Sequence, residues 1–126
     1  MNDLPNILFV DDEEINLKIF EYTFKREFTV FTALSAKNGI ELLKQHPINV
    51  IVTDYRMPEM NGLEFIEKIK TETPDKICIM VTGYVHEIEH LNKTQIFKLL
   101  NKPWEKESLK KVIHDALIQY NSNLEK

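Results

Sequence analysis

The stretch Ile7-Leu8-Phe9-Val10-Asp11-Asp12 decides how this chain is read, because four large apolar residues run directly into two carboxylates. An apolar run this short, rich in branched side chains and bounded by polar groups, is the pattern of a strand buried on both faces. Three further runs are of the same kind: Val50-Ile51-Val52, Ile77-Cys78-Ile79-Met80-Val81, and Ile96-Phe97 with Leu99-Leu100. A fifth, Phe28-Thr29-Val30-Phe31-Thr32-Ala33, alternates and is expected nearer a sheet edge.

Segments with helical spacing separate the runs. Leu109, Val112, Ile113, Ala116, Leu117 and Tyr120 form one continuous stripe and predict a final helix. Ser35 is placed to cap a helix carrying Ala36, Ile40 and Leu43, which Pro47 stops. Leu63, Ile66 and Ile69 follow Gly62 in another, stopped before Pro74. Ile15, Leu17 and Ile19 alternate like a strand, yet Leu17, Phe20 and Phe24 keep helical spacing, and the acid-rich start favours a helix. Around residues 86–92 only Ile88 and Leu91 mark a stripe, so a short, loosely held helix is expected. Five strands alternating with five helices predict an α/β fold: a parallel sheet with right-handed crossovers and helices on both faces.

Composition narrows the function classes. The 126 residues have room for one domain, read as spanning 1–126 with a tail fraying after about residue 120. Hydrophobic residues at 43% and charged residues at 29% exclude disordered and low-complexity classes. Sixteen Lys and Arg against twenty Asp and Glu leave a formal net charge of -4, so direct nucleic acid binding is not expected. Cys78 has no partner for an internal disulfide and reads as a buried thiol. No apolar stretch approaches the roughly 20 residues of a membrane span, and Met1-Asn2-Asp3 lacks the order of a signal peptide; a cytoplasmic location is expected.

Polar residues gather where strands end. Val10 leads into Asp11-Asp12, Thr53 into Asp54, Val81 into Thr82, and Asn101 into Lys102. In an open parallel sheet the carboxyl ends of the strands share one edge, and ligands bind there at the switch point of strand order. Three carboxylates, a hydroxyl and an ammonium are thereby expected at one site. Carboxylates this close repel one another unless one is protonated or a cation sits among them. An all-oxygen set favours Mg2+, which accepts a few carboxylates and keeps waters that a phosphate can replace. Thr82 and Lys102 suit the phosphoryl oxygens, and the whole describes phosphoryl transfer to a carboxylate.

The set Asp11-Asp12, Asp54 followed by Met57-Pro58-Glu59-Met60-Asn61-Gly62, Thr82-Gly83 and Lys102-Pro103 resembles, in order and spacing, the receiver domain of two-component response regulators of the chemotaxis type. The resemblance covers nearly the whole chain. It implies a flavodoxin-like three-layer sandwich with strand order 2-1-3-4-5, in which a sensor histidine kinase or phosphotransfer protein donates its phosphoryl group to Asp54. It also implies Mg2+ held by Asp12, Asp54 and the backbone carbonyl of Arg56, with Asp11 acting mainly through water. Lys102 and Thr82 would contact the phosphoryl oxygens, and the Lys102-Pro103 bond is expected to be cis. Many receivers carry an aromatic switch residue three positions before the lysine. Here that position is Leu99.

Each residue also has a plain structural reading. Asp11-Asp12 can cap a helix, Asp54 can start the turn at Met57-Pro58, Gly62 can mark a helix entry, Thr82 can end a strand, and Lys102 can be a solvated lysine. Their joint placement at one sheet edge favours the site. Of the histidines at 46, 86, 90 and 114, only His86 and His90 stand at i, i+4, and a solvated face is expected there rather than zinc. Trp104 reads as packing, and Lys106, Lys110 and Lys111 as a mixed face with Glu105, Glu107 and Asp115.

The expected function is a phosphorylation-controlled signalling switch that is not an enzyme beyond its own phosphorylation and dephosphorylation, and that binds a downstream protein partner differently in two states, with Thr82 and Leu99 as switch residues. The alternative is a Mg2+-dependent small-molecule phosphohydrolase with Asp54 as nucleophile. A third reading, a constitutive interaction module, sits poorly with the intact acidic set and Lys102.

Overall fold

Every second residue of a strand points to the same face, so each buried run must feed two apolar layers at once. The computed structural model, which describes residues 3–124, shows how the chain meets that demand. Its elements are β1 (Asn6–Val10), α1 (Glu14–Phe24), β2 (Thr29–Ala33), α2 (Ala36–Gln45), β3 (Val50–Asp54), α3 (Gly62–Glu72), β4 (Ile77–Thr82), α4 (Val85–Ile88), β5 (Lys98–Asn101) and α5 (Lys106–Leu124). The five strands are parallel and ordered β2-β1-β3-β4-β5. On one face, Ile7, Phe9, Val50, Val52, Ile79 and Val81 pack against α1 and α5 through Leu17, Phe20, Phe24, Leu109 and Ile113. On the other, Leu8, Val10, Ile51, Cys78 and Met80 meet Ala36, Phe65, Ile66, Ile69 and Ile88 of α2, α3 and α4.

The segment after Asp12 is a helix. Leu17, Phe20 and Phe24 are buried while Ile15 and Ile19 are 61% and 49% exposed, so the strand-like alternation reflects two isoleucines left on the outer surface. Phe20 stacks on Phe9 with ring centroids 4.2 Å apart, and Trp104 leans on both Phe20 and Phe24, in keeping with its reading as packing. Ser35 caps α2 by accepting the Asn38 N–H at 3.1 Å. At α3 the cap is Asn61, whose side chain and that of Glu64 accept each other's backbone N–H at 2.9 Å, a reciprocal box that the glycine after it obscures in the sequence.

Two expectations are corrected. The run 96–100 is not a strand buried on both faces: β5 begins only at Lys98, Leu99 and Leu100 are half-buried, and Phe97 is 37% exposed. The strand lies at the sheet edge beside a four-residue α4, which has too little surface to cover it. His86 and His90 do not share a helix, because α4 ends at Ile88; His86 is exposed and lies 3.4 Å from Glu89 Oε2. Past Tyr120, α5 continues to Leu124 with a Gln119–Asn123 side-chain hydrogen bond of 2.9 Å across its last turn. The fraying expected of Glu125 and Lys126 falls outside the described residues. Lys106 and Lys110 approach Glu27 at 3.9 and 3.6 Å, and Lys111 pairs with Asp115, giving the mixed face expected. Among the described residues no helix is long and apolar enough to cross a membrane.

Candidate functional site

Strand order reverses between β1 and β3: from β1 the chain goes outward to β2, and from β3 outward through β4 to β5. Loops leaving the two central strands therefore diverge and open a crevice at their carboxyl ends. Parallel pairing of Val10 with Thr53 puts the residues that follow them, Asp11 and Asp54, side by side at its floor. Asp11, Asp12 and Asp54 each bring a carboxylate oxygen within 4.8 Å of the others. Asp11 and Asp54 are buried, and Asp12 is exposed at the mouth.

Lys102 arrives from the far edge of the sheet. β5 pairs with β4 so that Asn101 lies opposite Thr82, and the next residue donates its backbone N–H to the Thr82 carbonyl at 2.9 Å. Its ammonium then lies 2.8 Å from Asp11 Oδ2 and 3.0 Å from Asp54 Oδ2. The Lys102-Pro103 bond is cis, as expected. Asp11 also accepts the Glu13 N–H at 3.0 Å and the Asn16 side-chain amide at 3.2 Å, and Asp54 Oδ1 accepts the Tyr55 N–H at 2.7 Å.

These contacts set the charge balance. Burial pushes the Asp54 carboxyl above its ordinary range, and the Asp11 charge adds to this; Lys102 and the Tyr55 N–H oppose the rise without cancelling it. Burial by itself would weaken Lys102 as a base, but its hydrogen bonds to Asp11 and Asp54 outweigh that and hold the ammonium more firmly protonated than usual. One ammonium does not balance three carboxylates. An all-oxygen set this tight, with one exposed carboxylate, fits a hard divalent cation such as Mg2+.

Two hollows flank the acids. One of about 520 Å³ is lined by Asp12, Tyr55, Arg56, Met57, Pro58, Asn61 and Glu87. The other, about 580 Å³, has Asp11, Asn16, Ile19, Lys102 and Trp104 among its walls. Arg56 lines the first, and its side chain turns to Glu87, with Nε 3.2 Å from Oε2 and the second fork of the guanidinium on Oε1.

Asp11, Asp12, Asp54 and Lys102 thus come together as the sequence predicts. Thr82 ends β4 beside them, fully buried, and its oxygen accepts the Tyr84 N–H at 3.0 Å. Leu99 lies away from the acids, opposite Met80, against the apolar layer that contains Ile88. Residues that the sequence did not single out are Asn16 and Glu87, which carry no local signal. Gly62 is more than a helix entry. A Cβ there would stand 2.2 Å from the Asp54 carbonyl oxygen and 3.0 Å from Tyr55 Cα.

A flavodoxin-like sheet with an acidic cluster and a lysine at its switch point defines an α/β protein with a phosphate-handling site at the strand ends. More particularly, the chain belongs to the response regulator receiver domain family, whose sequence profile matches residues 7–114. It is 34% identical, over 88% of its length and 91% of the relative's, to a chemotaxis protein CheY homolog of Campylobacter jejuni. It is 32% identical, over 88% of its length, to the hydrogenase transcriptional regulatory protein HoxA of Cupriavidus necator, of which it spans 24%. The chain covers about a quarter of the length of that regulator and of its Bradyrhizobium counterpart. Its fold matches a response regulator receiver domain protein from Clostridium thermocellum with a TM-score of 0.87 at 28% identity, covering 94% of this chain and 98% of the other.

Proposed function

We propose that this chain is the phosphoacceptor switch of a two-component phosphorelay and that Asp54 is the residue modified. The observation that carries this reading is Lys102 bridging Asp11 and Asp54 beside an exposed Asp12. A histidine kinase or phosphotransfer protein supplies a phosphohistidine. An Asp54 carboxylate oxygen attacks phosphorus, the P–N bond breaks as the P–O bond forms, and the imidazole nitrogen leaves with its electron pair and takes a proton. The product is an acyl phosphate on Asp54.

Asp12, Asp54 and the Arg56 carbonyl, with Asp11 through water, would hold Mg2+, which would supply charge neutralisation for the transferring group. Lys102 moves its hydrogen bond from the Asp54 carboxylate to a phosphoryl oxygen, keeping a positive charge where negative charge accumulates. Thr82 already accepts the Tyr84 N–H, which leaves its own hydroxyl proton to donate to another phosphoryl oxygen. Exposed Ile15, Ile19 and Tyr22 on α1, beside the hollow walled by Asp11, Lys102 and Trp104, offer the donor protein an apolar landing surface next to the nucleophile. The catalysis is confined to the protein's own phosphorylation and hydrolysis, and the switch acts in the cytoplasm by binding a downstream protein partner differently in its two states.

The test is incubation with a small phosphodonor and Mg2+, followed by intact-mass measurement. One phosphoryl increment is expected, lost in Asp54→Asn. A stable adduct mapped to Ser, Thr or His overturns the assignment.

A further inference from the structure

The short helix α4 is tied at its start to two residues beside the acidic site, Arg56 and Thr82. The Arg56 guanidinium, two residues beyond Asp54, reaches across to Glu87 of α4 as a two-pronged pair. Its Cζ sits 3.8 Å from the centre of the Tyr84 ring, so the guanidinium is held between a carboxylate and an aromatic face. Ordinary surface ion pairs contribute little, but a planar fork on a carboxylate, stacked on a ring, is the geometry in which such a pair holds a position.

Little else fixes the start of this helix. α4 has four residues, and only Ile88 among them is buried. Just after it, the Lys93 ammonium donates to the carbonyls of Ile88 and Leu91 at 3.2 Å each, which secures the far end. At the near end stand the Arg56–Glu87 pair and the Tyr84 N–H on Thr82 Oγ1. Arg56 and Glu87 line the same hollow as Asp12, so a dianion on Asp54 would arrive close to the guanidinium.

We propose that Arg56 is a positioning residue that latches α4 through Glu87, and that a phosphoryl group on Asp54 releases the latch by competing with Glu87 for the guanidinium. The second half rests on the proposed phosphorylation; the first does not. The hydroxyl of Thr82 is drawn toward the same phosphoryl group, so both near-end ties are subject to one event. Asp12, lining the same hollow, adds negative charge there, which a cation among the acids would offset.

The experiment measures amide exchange across residues 83–91 in the full chain, unmodified and phosphorylated, with phosphoryl content read by intact mass on the same samples. In the unmodified state Glu87→Gln and Arg56→Gln should each raise exchange about two- to fivefold, and the pair together no more than either alone. The reversed pair, Arg56→Glu with Glu87→Arg, should bring exchange back toward wild type, which a general loosening would not do. Added salt should raise exchange in wild type and leave Glu87→Gln unmoved. Phosphorylation should raise wild-type exchange by a larger factor than it raises that of Glu87→Gln.

Equal exchange in wild type and both single variants overturns the latch, as does a reversed pair no better than the singles. If wild type accepts no phosphoryl group, the proposed function and the release step fall together, while the latch is still decided by the unmodified samples. If it is phosphorylated and the two proteins respond by the same factor, the release step alone is wrong.

Discussion

Gly62 lies so close to the end of β3 that a Cβ built on it would stand 2.2 Å from the Asp54 carbonyl oxygen. The Gly62 N–H meanwhile donates to the Tyr55 carbonyl at 2.7 Å, which folds the loop after Asp54 back under the strand. The first turn of α3 is thereby seated directly beneath Asp54. Glu59, with φ of 70°, supplies the left-handed step that lets the loop between them close.

Replacing that glycine should therefore disturb fold and site together. Gly62→Ala puts a methyl group against backbone that cannot rotate away, and should cost about 2 kcal/mol of stability in urea unfolding, the range for overpacking a filled space. It should also slow phosphorylation of Asp54 by a small phosphodonor. An unchanged unfolding midpoint would show that the strand end gives way freely.

The acidic residues should differ in their weight for metal binding. Asp11 is buried and already held by Lys102, the Glu13 N–H and Asn16, whereas Asp12 is exposed at the mouth of the site. Calorimetric titration with Mg2+ should show Asp11→Ala weakened by about tenfold and Asp12→Ala weakened more. Wild-type affinity in both variants would place the cation elsewhere.

Leu99 offers no ring to swing inward, so the response to phosphorylation should travel through packing. It lies opposite Met80 and against the layer holding Ile88, the buried residue of α4. Amide exchange in residues 83–101 should change on phosphorylation. Leu99→Ala should blunt that change while intact mass still records a full phosphoryl increment on Asp54. A response of wild-type size in the variant would remove Leu99 from the coupling.

Cys78 gives a pH prediction remote from the acids. Burial pushes its thiol from an ordinary 9.0 up to about 12, with Lys70 and Lys76 opposing the shift weakly. Below pH 9 both folded and unfolded chains keep the proton. Between 9 and about 12 the unfolded chain loses it and the folded one does not, so the folded state binds more protons and stability falls as pH rises. Unfolding measured across that window should decline less steeply in Cys78→Ala than in wild type. At pH 8 a thiol reagent should label wild type only as fast as it opens.

The parallel sheet and the polar residues that gather at its edge are legible in the amino-acid pattern. The unbroken apolar runs of β1, β3 and β4, buried on both faces, are a local property, and so is the polar residue that ends each run; a parallel topology then carries Asp11, Asp54, Thr82 and Lys102 to the same edge. Tertiary structure decided what depends on partners distant in the chain. Ile15 and Ile19 are as apolar as Leu17, and only the packing of α1 onto β1 and β2 settles which of them is covered. The run 96–100 looks like a core strand, yet its place at the edge beside a four-residue helix leaves it half-exposed. Gly62 beneath Asp54 and Arg56 on Glu87 have no counterpart in local pattern. Steric exclusion and ion pairing act through space, and only the folded chain brings those groups within a few ångströms.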